Sequence, residues 1–235
     1  MLDKDEFNGK YPCVLEMIDD NYVINTLTEK ETPKVYYFAH TNMDEIYGLE
    51  GKWGLVDKFD NVIIEPKYIY PFIECGDNLQ VMLPEDIIDD MVTTLKHGLI
   101  DKKGNTIIPF KYIYMESIDS SGTYFRVVEP ENYKAGIIDK NNEIVVPFEY
   151  DFIPAYPEFE MCENNNFVYV YPDNVYQVKV SNNYLYGIYD LILKKEIIKP
   201  KYKYIKIIDY NKFLIGEDYE NCNIMINEKE ETIWL

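Results

Sequence analysis

Laid against itself, the chain repeats one short pattern four times, and that repetition restricts it to folds in which the same small unit is built again and again. The copies open at Trp53-Gly-Leu-Val-Asp57, His97-Gly-Leu-Ile-Asp101, Ala135-Gly-Ile-Ile-Asp139 and Tyr186-Gly-Ile-Tyr-Asp190. They close at Ile63-Ile-Glu-Pro-Lys-Tyr68, Ile107-Ile-Pro-Phe-Lys-Tyr112, Val145-Val-Pro-Phe-Glu-Tyr150 and Ile197-Ile-Lys-Pro-Lys-Tyr202. From motif glycine to closing tyrosine the spacing is 68−54 = 14, 112−98 = 14, 150−136 = 14 and 202−187 = 15, too regular for chance. A degenerate fifth copy starts at Asn223-Ile-Met-Ile-Asn227 and reaches Ile233-Trp-Leu235, as a capping unit would.

Each half of the unit has the chemistry of a strand: about four apolar, often branched residues bounded by Asp, Asn, Gly and Lys. The halves therefore read as hairpins, with the aspartate at the turn entrance accepting backbone amide bonds and Gly104 or an Asn supplying a positive φ. Calcium binding by Asp57, Asp101, Asp139 and Asp190 is disfavoured, because the turns lack the further oxygen ligands that a calcium loop uses. The prolines, with no amide proton to give a ladder, are expected where a strand leaves the sheet or runs along an edge, and to end the second strand. A third strand precedes each glycine, at Leu79–Leu83, Tyr124–Val128, Val175–Val180 and Phe213–Ile215. The recurring Tyr68, Tyr112, Tyr150 and Tyr202 suit the interface between units, where a large ring with one polar tip can pack and still find a partner. The fold class is all-β: tandem antiparallel β-meander or hairpin repeats.

The unit resembles that of the WG-repeat proteins of bacteria, Trp-Gly-Leu-hydrophobic-Asp-Lys-x-Gly-x-hydrophobic-hydrophobic-x-Pro-x-Tyr, most closely over residues 53 to 68. Only Trp53 keeps the tryptophan; His97, Ala135 and Tyr186 replace it in the diverged copies. The resemblance spans about residues 47–235 and implies a repeated all-β fold without assigning a biochemistry. Residues 1–46 lack the motif but contain the strand-like Tyr22–Asn25 and Val35–Phe38, and read as an N-terminal cap or a degenerate β unit. Motif glycines spaced from 136−98 = 38 to 187−136 = 51 residues apart favour an open stack of meanders over the alternative of a five-bladed propeller-like closure.

Repeats that admit insertions often carry contacts on them. Segment 84–95 has helical apolar spacing at Ile87, Ile88, Met91 and Leu95, with Pro84, Glu85 and Asp86 suited to a helix start. Segment 154–174 is rich in Tyr, Glu and Asn. Candidate partner contacts on the two are Asp86, Asp89, Asp90, Tyr156, Glu158, Glu160 and Glu163.

Composition then narrows the function. Forty-two acidic residues against 23 basic ones give a formal charge of −19, which repels a phosphate backbone and suits a basic protein partner. Arg126 is the one arginine, so bidentate recognition of phosphate or guanine has almost no raw material. Cys13, Cys75, Cys162 and Cys222 form no CxxC pair, and no secretory signal or membrane-length apolar run is present, so a reduced, cytoplasmic setting is expected. The two histidines are His40 and His97, and His97 occupies a motif position, so a structural imidazole is expected there. No nucleophile with a base, metal cluster or phosphate loop is visible. The expectation is a non-enzymatic protein-binding repeat module or adaptor without a cofactor. The alternatives are an acidic immunity protein that covers a basic toxin and, less favoured, a carboxylate-based carbohydrate-active enzyme.

Overall fold

The computed structural model describes residues 27–28, 35–40, 53–57, 62–68, 70–88, 91–154, 158–161, 167–170 and 175–233. They divide into two compact units, one ending at Lys111 and the other beginning at Tyr112. All the regular elements described are strands, so no helix is long and apolar enough to cross a membrane.

The first unit holds two four-stranded meanders. One runs through β1 (Leu27–Thr28), β2 (Val35–His40), β3 (Trp53–Asp57) and β4 (Val62–Tyr68), and takes its first two strands from the segment without the motif. The other runs through β5 (Ile73–Cys75), β6 (Asn78–Ile88), β7 (Met91–Asp101) and β8 (Thr106–Tyr112). The second unit continues with β9 (Tyr114–Ser117), β10 (Tyr124–Val128), β11 (Ala135–Asp139) and β12 (Ile144–Tyr150), then the hairpin β13 (Glu158–Met161) and β14 (Phe167–Val170). Two three-stranded sheets follow: β15 (Gln177–Asn182), β16 (Leu185–Asp190) and β17 (Lys195–Tyr202), then β18 (Tyr204–Asp209), β19 (Lys212–Gly216) and β20 (Cys222–Asn227). The expected tandem of antiparallel meanders is thus the fold. In the fifth copy the second strand shrinks to the bridge Ile226↔Thr232 and the bond from Ile233 N to Met225 O.

Two local expectations are corrected. Segment 84–95 is not a helix: β6 and β7 extend into a long hairpin arm, with Pro84 opposite Leu95, Ile87 opposite Val92 and Ile88 opposite Met91. Apolar residues on either side of a tight turn mimic helical spacing, and branched Ile87, Ile88, Val92, Thr93 and Thr94 fit a pleated surface better than a helix. Nor do the prolines end the second strand, which runs on to the tyrosine in every copy, as in Val62–Tyr68 and Ile144–Tyr150. The strand is an edge strand, where the missing amide is tolerated, and it absorbs the proline in a bulge. Between the pairs Trp53↔Tyr68 and Leu55↔Ile64 the register shifts, as it does between Ala135↔Tyr150 and Ile137↔Val146 and between Tyr186↔Tyr202 and Ile188↔Ile198. The motif glycine faces this bulge in each case.

Within each unit the core lies between successive sheets. Trp53, Leu55 and Ile64 of one sheet pack with Leu79, Val81 and Ile100 of the next. In the second unit Ile137, Val145 and Val146 meet Val178, Val180 and Tyr189, and Ile188 and Ile198 meet Ile205, Phe213 and Ile226. The middle strands of the sheets are buried in continuous runs, as at Ala135–Ile138 and Gly187–Asp190, while the edge strands β4 and β8 show more alternation.

The closing tyrosines tie one copy to the turn region of the next, as their recurrence suggested. Tyr112 Oη donates to Asn142 Oδ1 (2.8 Å), Tyr150 Oη to Glu196 Oε2 (3.0 Å) and Tyr202 Oη to Glu230 Oε2 (2.5 Å). Tyr68 packs edge-on against Phe72, with centroids 5.3 Å apart. Burial first, and then the Glu196 carboxylate, push the Tyr150 hydroxyl far up; the same two causes, with Glu230, push Tyr202 up to about 12. The folded state therefore holds protons that the unfolded chain releases from about pH 10 upward. Stability is full below that pH and is lost as the pH rises toward the folded values. Denaturant midpoints should fall between pH 9 and 11, and the fall should be smaller in a Tyr150→Phe/Tyr202→Phe variant; an identical fall in both proteins would refute this assignment.

Candidate functional site

The motif residues form scaffold. Asp101 Oδ1 accepts the amides of Lys103 and Asn105 at 2.8 Å each, and Asp139 Oδ1 those of Asn141 and Glu143 at 2.8 and 2.9 Å. Gly104 (φ +86°) and Asn142 (φ +64°) supply the left-handed residue, so these aspartates act as turn formers. Desolvation, the largest single influence, raises the Asp101 carboxyl, but the Asn105 side chain, the backbone amides and the Lys103 charge together hold it below its ordinary value. His97 is buried with Nδ1 3.2 Å from Gln80 Nε2, and burial lowers its pKa, as suits a packed neutral imidazole. Among the described residues no group of three or more His, Cys, Asp or Glu is placed to hold a metal ion.

The predicted contact residues are only partly placed. Asp86 lies on β6 opposite Thr94, and Glu158 and Glu160 lie on β13 opposite Val170 and Val168. Asp89, Asp90, Tyr156 and Glu163 lie outside the described residues.

A different element draws attention. The fourth copy's turn is Asp190-Leu-Ile-Leu-Lys-Lys195, where the other copies, Phe59 apart, have polar residues or glycine and one residue fewer. Its tip presents Ile192 and Leu193 to solvent, 57% and 54% exposed, beside the half-exposed rings of Tyr176 and Tyr210, which meet edge to face with centroids 6.3 Å apart. The turn is held rigidly. Asp190 is fully buried; its Oδ1 accepts Leu193 N (2.8 Å), and its Oδ2 accepts Gln177 Nε2 (3.1 Å) and Tyr210 Oη (2.9 Å). Gln177 also exchanges bonds with Asn211, Nε2 to Oδ1 at 2.5 Å and Oε1 from the backbone N at 3.1 Å, while Leu191 N donates to Tyr176 O at 2.8 Å. The Asp190 carboxylate, accepting the hydroxyl proton, raises the Tyr210 pKa.

Tyr176 and Ile192 border a pocket of about 190 Å³ whose other walls are Val175, Tyr124, Asp119, Ser121 and Thr123. Asp119 is buried there and shapes its loop by accepting Thr123 N and Tyr124 N, both at 2.9 Å, and Ser121 Oγ at 2.6 Å. The result is an apolar rim fixed by a buried polar network, with hydroxyls at one wall. The sequence signal for it was the fourth copy's longer, apolar turn.

Three stretches, residues 53–74, 98–130 and 136–160, match the family described as WG containing repeat. No curated protein matches the chain.

Proposed function

We propose, from the premise that this chain carries WG containing repeats, that it is a non-enzymatic protein-binding repeat module whose contact surface is the 190–194 turn with Tyr176 and Tyr210. The observation that carries the reading is the exposure of Ile192 and Leu193 at a turn that three hydrogen bonds to Asp190 hold in place. An apolar turn tip adds nothing to this chain's own core, whereas covering it would remove apolar area worth about 25 cal/mol per Å² from water. Aromatic and aliphatic groups on a rigid base, rimmed by polar side chains, are the composition of an interface centre. The net charge of −19 favours a basic partner and speeds its encounter. The alternative, an immunity or inhibitor protein that covers a basic toxin in a bacterial cytoplasm, draws on the same charge.

An Ile192→Ser/Leu193→Ser variant tests it. Unfolding should shift by no more than about 0.5 kcal/mol, as for exposed positions generally. A protein retained by the parent from native lysate should be lost, with affinity at least tenfold weaker once the partner is purified. Equal retention by parent and variant, or turnover of a substrate that a single polar substitution abolishes, would overturn the assignment.

A further inference from the structure

The opposite end of the same strands carries a second unusual feature. Tyr133 and Tyr184 each stand three residues before a motif glycine (136−133 = 3 and 187−184 = 3), at the hairpins that lead into β11 and β16. Both have left-handed backbones, φ +57° and +62°. Tyr184 is the second central residue of a two-residue hairpin closed by Asn182↔Leu185, with Asn183 also at positive φ (+52°), a slot where glycine is ordinarily found. A bulky side chain in that conformation is strained.

Packing does not offset the strain. The rings are 72% and 94% exposed and make no hydrogen bond or ring contact with a described residue. The two hairpins are nevertheless held side by side. Asp151 accepts Lys134 Nζ at Oδ1 (2.5 Å) from one and Asn183 N at Oδ2 (2.8 Å) from the other, and its own N donates to Asn182 Oδ1 (2.9 Å). Lys134 is engaged by Asp151, and the Tyr133 hairpin also carries Glu131, exposed, and Glu129, partly exposed.

We propose that the Tyr133 and Tyr184 hairpins, joined through Asp151, form a second contact edge that takes a lysine- and arginine-rich segment of a protein. Tyrosine faces attract ammonium and guanidinium groups, the flanking glutamates complement the same charge, and rigid aromatic groups lose little entropy on binding. The edge is separate from the 190–194 surface, because β16 (Leu185–Asp190) puts about 17–20 Å between its two ends.

The test uses the whole chain and a fluorescent lysine- and arginine-rich peptide. A Tyr133→Gly/Tyr184→Gly variant keeps every charge, so general attraction to a polycation is unaltered and any loss belongs to the rings. The expected result is at least tenfold weaker binding with an unfolding midpoint equal to or above the parent's, since glycine relieves both left-handed positions. The Ile192→Ser/Leu193→Ser variant should bind the peptide as the parent does, which keeps this edge distinguishable from the other surface. The proposal is overturned if the parent does not bind the peptide, if the tyrosine variant binds equally well or unfolds at a clearly lower midpoint, or if the 192/193 variant loses the peptide to the same degree. Preference for an acidic peptide or a soluble oligosaccharide over the basic one would overturn it as well.

Discussion

Gly187→Val is expected to destabilise the chain by at least about 3 kcal/mol, and in the marginal case to prevent folding of the fourth copy. A Cβ at Gly187 would sit 2.3 Å from Ile198 O and 2.6 Å from Pro200 N, both backbone atoms that cannot swing away. No motif glycine has a positive φ, so close approach is what excludes a side chain, and backbone freedom plays no part. The approach accompanies the bulge in the proline-bearing second strand, where the carbonyl of the second apolar residue, Ile198 here and Ile64 in the first copy, lies over the facing glycine. Gly54 is in the same position, with a Cβ 2.5 Å from Ile64 O and 2.7 Å from Pro66 N. At Gly136 the nearest atoms are the movable Phe148 ring and Val146 O, both at 2.8 Å, so Gly136→Val should cost less, about 1–3 kcal/mol. An exposed control, Glu131→Gln, should stay within about 0.5 kcal/mol. Denaturant midpoints decide the order Gly187, Gly136, Glu131; equal midpoints for Gly187→Val and the parent would refute the packing argument.

Why the fold was legible and the proposed contact surfaces largely were not follows from the same residues. Glycine, aspartate, the apolar pairs and tyrosine recur at fixed spacing because each serves a contact within a repeat or with the neighbouring one, so the pattern reports the fold directly. The proline was read correctly as an edge residue and wrongly as a strand end, because a bulge depends on what faces it across the sheet. Segment 84–95 misled through periodicity: Ile87, Ile88, Met91 and Leu95 satisfy a helix and a hairpin arm equally, and only the pairing Ile88↔Met91 distinguishes them. The candidate contacts were sought on insertions rich in acid and aromatic groups, whereas the surfaces at Ile192–Leu193 and Tyr133–Tyr184 sit inside the repeats. The apolar turn was visible as a departure from the motif. The exposure and left-handed φ of the two tyrosines were not, since both are set by hairpin geometry.

Arg126→Ala should be the most damaging change outside the motif, because the single arginine joins three pieces of the second unit. The side chain is almost wholly buried, with Nη1 donating to Ile153 O (2.6 Å) and Nη2 to Tyr114 Oη (2.8 Å) and Glu116 Oε2 (2.6 Å). Its guanidinium also lies 4.8 Å from the Tyr114 centroid and 5.5 Å from that of Phe152. Nε is buried without a partner, a desolvation penalty that the three other bonds must exceed. Truncation leaves the carbonyl of buried Ile153 and the Glu116 carboxylate without that donor. Breaking a buried pair costs about 3–5 kcal/mol, and Glu116 remains 23% exposed to water, so about 3 kcal/mol is expected. Arg126→Lys should recover only part of it, because one ammonium cannot reach three acceptors in a planar fork or stack on both rings. Adding Glu116→Gln to Arg126→Ala should return about 1 kcal/mol by removing the stranded charge, an interaction that a double-mutant cycle measures. A loss below about 1 kcal/mol for Arg126→Ala, or no coupling with Glu116, would mean that the guanidinium is held by this site without supporting it.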